Sequence, residues 1–126
     1  MSEKLVSQSS AEHLVDAVVL GLQEKKGTNI AILDLRQLDN CITQFFVICD
    51  GDSNTHVSAV ADSVEEYVFK HLNDKPIHVE GKQNAQWVLL DFVDVVVHVF
   101  QKSVREHYNI EDLWADAKRT EIENFF

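Results

Sequence analysis

Cysteine is scarce, with Cys41 and Cys49 the only two in 126 residues. Two cysteines at that spacing make no disulfide framework, so the sequence points to a reducing, cytoplasmic compartment. No apolar run approaches the roughly 18 residues needed to span a bilayer. The opening Met1-Ser2-Glu3-Lys4 lacks the charged-then-apolar pattern of a signal peptide. Basic residues are also few: 11 Lys and Arg stand against 21 Asp and Glu, a net charge of −10. That balance argues against a general nucleic-acid binder, which needs a basic footprint, and against an anionic membrane surface. It favours a basic protein partner. The chain has no P-loop, no dinucleotide fingerprint, no G-x-S-x-G, no HExxH and no CxxC. Repeats, low-complexity tracts and internal linkers are missing as well.

What remains is an ordinary globular composition, 45% hydrophobic and 25% charged. A chain of this size buries about two thirds of its surface on folding, enough for one domain with a core of its own. Ser9 with Glu12 matches a capping box, and Leu14, Val15, Val18, Val19 and Leu22 recur at helical spacing. The first helix is expected over 10–26, stopped by Gly27. Residues 1–8 read as a frayed start. Residues 29–35 and 44–50 read as strands. In the second, Phe45, Val47 and Cys49 face one way and Phe46 and Ile48 the other, so it belongs in the middle of a sheet covered on both sides. Ser53 is a candidate N-cap for a helix over 54–72 with the stripe Val57, Val60, Ala61, Val64, Val68 and Leu72. Pro76, the single proline, bars its continuation.

Residues 77–80 read as a short strand. Residues 86–91 and 94–100 form an antiparallel hairpin about Phe92-Val93. That turn is unusual, because tight hairpins favour residues that tolerate positive φ; either the loop is wider or its apolar tip is covered. Residues 101–108 and 110–117 look like helical pieces broken near Asn109. The order α-β-β-α-β-β-β-α gives an α/β class, a single layered domain of one mixed sheet flanked by helices. The domain is expected over 1–117, with 118–126, ending in Phe125-Phe126, a weakly ordered tail.

Several constellations could carry chemistry. Asp50 and Asp52 flank Gly51 at a spacing that could share Mg²⁺, but no basic residue follows closely to hold phosphates, and capping of a solvated turn is the plainer role. Asp91 and Asp94, bracketing the hairpin turn, read as local hydrogen-bonders. His78 and Glu80 share a strand face, with His98 a third candidate for zinc; His98 in the run VVVHVF reads better as a buried histidine satisfied by one hydrogen bond. Cys49 reads as a packing residue. Trp87 is either core or the anchor of an interface. Tyr108 and Trp114 add a second aromatic pair, and Arg105 shares a helix face with Tyr108.

The stretches QFFVICDGDSNTHVSAVAD (44–62), HVEGKQNAQWVLLDFVDVVVHVF (78–100) and SVREHYNIEDLWADA (103–117) resemble the ribosomal silencing factor, or Iojap-like, family. The series EG, W-x-x-x-D, VVVHVF and R-x-x-Y-x-x-E-x-L-W carries the resemblance. Three positions depart from it: His56 stands where Gln is common, Val93 where Gly is common, and the chain runs past the usual end after Ala117. The resemblance implies a nucleotidyltransferase-like fold without catalytic apparatus, no cofactor and no metal. It implies binding to the large ribosomal subunit through its protein fourteen, at the face that meets the small subunit, and repression of translation when nutrients are short. A homodimer is implied for the free protein. The partner-binding patch it implies comprises Glu80, Gly81, Trp87, Asp91, His98, Arg105, Tyr108 and Trp114. Trp87 would be the anchor, Glu80 and Asp91 acceptors for Arg or Lys, and Gly81 the point of close backbone approach. Two rivals stand beside this reading: a Mg-dependent nucleotidyltransferase-like enzyme using Asp50 and Asp52, and an acidic dimerisation module with another basic partner.

Overall fold

A helix with Leu14, Val15, Val18 and Leu22 on one side must bury that side, and α1 (Ser10–Glu24) does so against α2 (Asn54–Leu72) and the sheet. The description comes from a computed structural model covering residues 10–39 and 41–124. The proposed Ser9 cap, the frayed start and Phe125-Phe126 lie outside the described residues. The two helices meet closely at Gly21, where an added Cβ would lie 2.9 Å from the Val64 Cα, and Ser63 Oγ donates to the Gly21 carbonyl at 2.7 Å. Helix α1 ends two residues before the expected limit; Lys26 takes the left-handed conformation, and the Gly27 N–H closes on the Leu22 carbonyl.

Among the described residues six strands form one mixed sheet in the order β3-β4-β5-β2-β1-β6. They are β1 (Thr28–Asp34), β2 (Phe45–Gly51), β3 (His78–Glu80), β4 (Trp87–Asp91), β5 (Val95–Gln101) and β6 (Lys118–Ile122). Strand β2 is central and pairs parallel with β5; the other pairings are antiparallel. As expected from alternation, Phe45, Val47 and Cys49 join the core under α1 and α2, while Phe46 and Ile48 join a second core on the opposite face. Two short helices, α3 (Lys102–Tyr108) and α4 (Ile110–Leu113), serve that second face. Asn109 breaks them apart with φ 44°.

Ser53 caps α2 by accepting from the His56 N–H, and Asn73 ends it in the left-handed region. Leu72, expected in the stripe, is 41% exposed, because the helix has by then run past the edge of the core. The second helical piece stops at Leu113 instead of Ala117.

The segment read as a weakly ordered tail is corrected: Lys118–Ile122 pairs antiparallel with β1 along its whole length. Its charged, exposed sequence hides the strand, since an edge strand with one thinly covered face needs little apolar alternation. Ile122 packs on the main core beside Ile30 and Ile32, which would otherwise be a bare edge. The element order therefore ends in α-α-β.

The hairpin is three residues wide, wider than a tight turn, and its apolar tip is covered only at Phe92. Phe92 is buried in the core, while Val93 stands 52% exposed with φ 77°. The Asp91 carboxylate accepts from the Val93 N–H at 2.8 Å, and Thr43 Oγ1 donates to the Val93 carbonyl at 2.9 Å. A β-branched residue in the left-handed region is strained by about 1–2 kcal/mol. Val93→Gly is accordingly expected to raise stability by about 1 kcal/mol, the relief of strain exceeding the added unfolded-state entropy. Urea unfolding checks this.

Candidate functional site

The second face of the sheet is only half covered. Strand alternation places Trp87, Leu89 and Asp91 of β4, Val96, His98 and Phe100 of β5, and Phe46, Ile48 and Asp50 of β2 on that face. Beneath α3 and α4, Ile48, Phe100, Leu33 and Leu35 are sealed off. Towards β3 the cover thins. Trp87, Leu89 and Asp91 are half-buried, and His78 and Glu80 are exposed.

Registry explains the assembly. Trp87 stands opposite Phe100, Leu89 opposite His98, His78 opposite Asp91 and Glu80 opposite Leu89. The Trp87 ring lies 4.8 Å from Phe100 and 5.0 Å from Tyr108, centroid to centroid. On the far side of His98, Phe46 makes edge contacts with both His98, at 4.8 Å, and Trp114, at 5.7 Å. Four of the residues expected in the patch, Trp87, His98, Tyr108 and Trp114, thus form one aromatic array. Phe46 and Phe100 join them, and the sequence reading did not place them in the patch. Strand alternation carried the signal, since it puts Phe46 opposite to Phe45 and Phe100 on the same side as His98.

Trp87 Nε1–H donates to His98 Nδ1 at 3.0 Å. That bond fixes a neutral imidazole with its proton on Nε2, an assignment from the hydrogen-bond network. His98 is 5% exposed and buried as expected, but its one bond leaves Nε2 without a partner among the described residues. Burial pulls its pKa down from the ordinary 6.5 to about 4. The unfolded chain therefore binds more protons between those values, so stability falls as pH drops from 6.5 towards 4. The span corresponds to about 3 kcal/mol, absent above neutrality. The loss is expected in the wild-type protein and not in His98→Asn; urea unfolding measured across pH reports the difference.

The acidic members occupy the rim. Glu80 pairs with its strand neighbour His78, and one Asp91 oxygen caps the turn at Val93. Gly81, with φ 88°, lets the chain turn directly beneath β4: an added Cβ would sit 2.0 Å from the Trp87 carbonyl oxygen. It opens the loop whose Ala85 N–H returns to the Gly81 carbonyl at 2.8 Å.

Arg105 is not a member of the aromatic array and is held by other groups. Its side chain is 11% exposed and makes four hydrogen bonds. Nη1 donates to Asp50 Oδ1 at 2.8 Å and to the Asn29 carbonyl at 2.7 Å, while Nε and Nη2 fork onto Glu111 at 2.8 and 2.9 Å. Arg119 of β6 reaches the same Glu111 at 2.8 Å. Arg105, opposed by burial and helped by Arg119, holds the Glu111 carboxyl down at about 2. Arg105 and Glu111 are six apart, not neighbours on one helix; only the left-handed break at Asn109 brings them together.

The same network undoes the pairing of Asp50 with Asp52. Asp50 is buried, one oxygen on Arg105 and the other on Asn29 Nδ2 at 2.8 Å. The Asp52 carboxylate is 90% exposed, while its backbone N–H donates to His56 Nδ1 at 2.9 Å and His56 Nε2 bonds the Lys25 carbonyl just past α1. The two carboxylates serve different elements and do not converge on one ion. The His78, Glu80 and His98 set fails likewise, because His98 is committed to Trp87. Among the described residues no three metal-ligating side chains are grouped. Cys49 is buried, and burial together with Asp50 drives its thiol pKa far up, consistent with packing.

Residues 8–125 match the family model described as "Ribosomal silencing factor during starvation". A ribosomal silencing factor of Halalkalibacterium halodurans is 37% identical, over 90% of this chain and 96% of its own. One from Chromobacterium violaceum is 39% identical, over 77% of this chain and 78% of its own. A crystal structure of a Chromobacterium violaceum protein superposes with a TM-score of 0.79 at 34% identity, covering 85% of this chain and 88% of that one.

Proposed function

The chain belongs to the ribosomal silencing factor family, and from that premise we propose that it binds the large ribosomal subunit through its protein fourteen and blocks joining of the small subunit. Translation is thereby repressed when nutrients are short. The reading makes the protein a steric regulator in the cytoplasm, with no reaction catalysed, and a homodimer when free of the ribosome. The observation that carries it is the Trp87 ring. It stands half-exposed between Phe100 and Tyr108, its N–H already satisfied by His98, with acidic Glu80 on the neighbouring strand and Asp91 at the far end of β4. A rigid aromatic surface whose polar atom is internally paired gains from desolvation without leaving a donor orphaned. Acidic groups at its rim suit Arg and Lys on a ribosomal protein, and the net charge of −10 steers the encounter. The same charge repels ribosomal RNA and so discourages misplacement.

The enzyme reading loses its support from the diverging Asp50 and Asp52. Sedimentation with purified large subunits tests the proposal: the protein should travel with them, and not with small subunits. Migration with neither would leave an acidic module for some other basic partner. Metal-dependent nucleotide binding would reopen the enzyme reading.

A further inference from the structure

We propose that Arg105 is a positioning residue: seated between Asp50 of β2 and Glu111 of α4, it fixes α3 so that Tyr108 lies against Trp87, and it makes no contact with the partner itself. The inference rests on the docking face proposed above and corrects the place of Arg105 in the expected patch.

Helix α3 has seven residues, none buried, and its N-cap Gln101 makes no side-chain capping bond. Helix α4 has four residues, again none buried. Pieces this short do not hold themselves, so their placement must come from side-chain bonds and packing. Val104 and Ile110 supply some packing against the second core. Direction comes from Arg105. Its planar fork meets both Glu111 oxygens, and Nη1 donates to both the Asp50 carboxylate and the Asn29 carbonyl. The staple thus spans the break at Asn109 and pins both helices to β1 and β2.

A second line runs from the C-terminal strand. Arg119 holds Glu111 from β6, and Asn124 Oδ1 accepts from the Asn29 N–H at 2.9 Å. Asn29 sits at a bulge, where the β1–β2 register shifts, with φ 53°, and that conformation aims its carbonyl at Arg105. Arg105 and Tyr108 are three apart on one helix, so fixing one fixes the other. Lysine presents a point charge and cannot bridge two carboxylates with this geometry.

A double-mutant cycle decides the matter. Affinity for large subunits is measured for the wild type, Arg105→Lys, Tyr108→Ala and the double variant. Emission of Trp87 is read in the free protein in a Trp114→Phe background, with thermal unfolding to confirm folding. Arg105→Lys is expected to weaken binding by about 5- to 20-fold in the presence of Tyr108 and by less than about twofold in its absence. The emission of free Arg105→Lys should shift to the red as Tyr108 leaves the ring. Glu111→Gln, a second route to the same loosening, should shift it the same way. Factors that multiply in the double variant would mean that Arg105 touches the partner, and would overturn the proposal. Unchanged emission in both variants would overturn it too. If the wild type does not bind large subunits, the docking reading falls, while the emission of the free protein still decides whether Arg105 positions Tyr108.

Discussion

Trp87→Ala is expected to weaken binding to the large ribosomal subunit by about 30- to 1,000-fold. The figure is the loss of a desolvated anchor tryptophan, about 2–4 kcal/mol. The ring is half-buried and already ordered by Phe100, Tyr108 and His98, so little rotamer entropy remains to be lost on docking. Truncation acts twice. It removes the contact surface, and it leaves His98, in its core position, without the donor that satisfies Nδ1. The second effect shows as lost stability of about 2–3 kcal/mol, from the cavity and the orphaned acceptor. Trp87→Phe separates them. It keeps an aromatic face for the partner while breaking the bond to His98, so it should lose stability and retain most of the affinity. Trp87→Ala that folds and binds within a factor of two of the wild type would remove Trp87 as the anchor.

Gly81→Ala is expected to cost about 3 kcal/mol or more. Two penalties coincide there. The φ of 88° disfavours any side chain, and the new Cβ would lie 2.0 Å from the Trp87 carbonyl oxygen, a backbone atom that can move only by shifting β4. The displaced strand is the one that carries Trp87, so binding should fall along with stability. Urea unfolding measures the first and sedimentation with large subunits the second. A loss below about 0.5 kcal/mol would mean that the loop relaxes freely and that the close approach is not needed.

The parts of this fold that were legible in the sequence are those with a strong periodic signal. The stripe from Val57 to Val68 and the opposed faces of residues 45–49 each follow from the requirement that apolar side chains be buried. Trp87 and Tyr108 could be singled out, but their contact could not, because it depends on β4 registering against β5 and on α3 folding back beneath both. Strand β6 was hidden for a related reason. KRTEI is held by pairing with β1, and pairing leaves no mark in a charged edge sequence. The contacts of Arg105 were hidden too: spacing gave its helical neighbour Tyr108, whereas its partners Asp50 and Glu111 are 55 and 6 residues away and meet it only through tertiary structure.

The central claim is that this face occupies room that the small subunit needs. Purified large and small subunits are mixed with increasing amounts of the protein, and joined particles are separated from free subunits by sedimentation. Joined particles should disappear as the protein approaches one copy per large subunit, with the protein recovered on the large subunit alone. Full joining with the protein still bound would contradict the account.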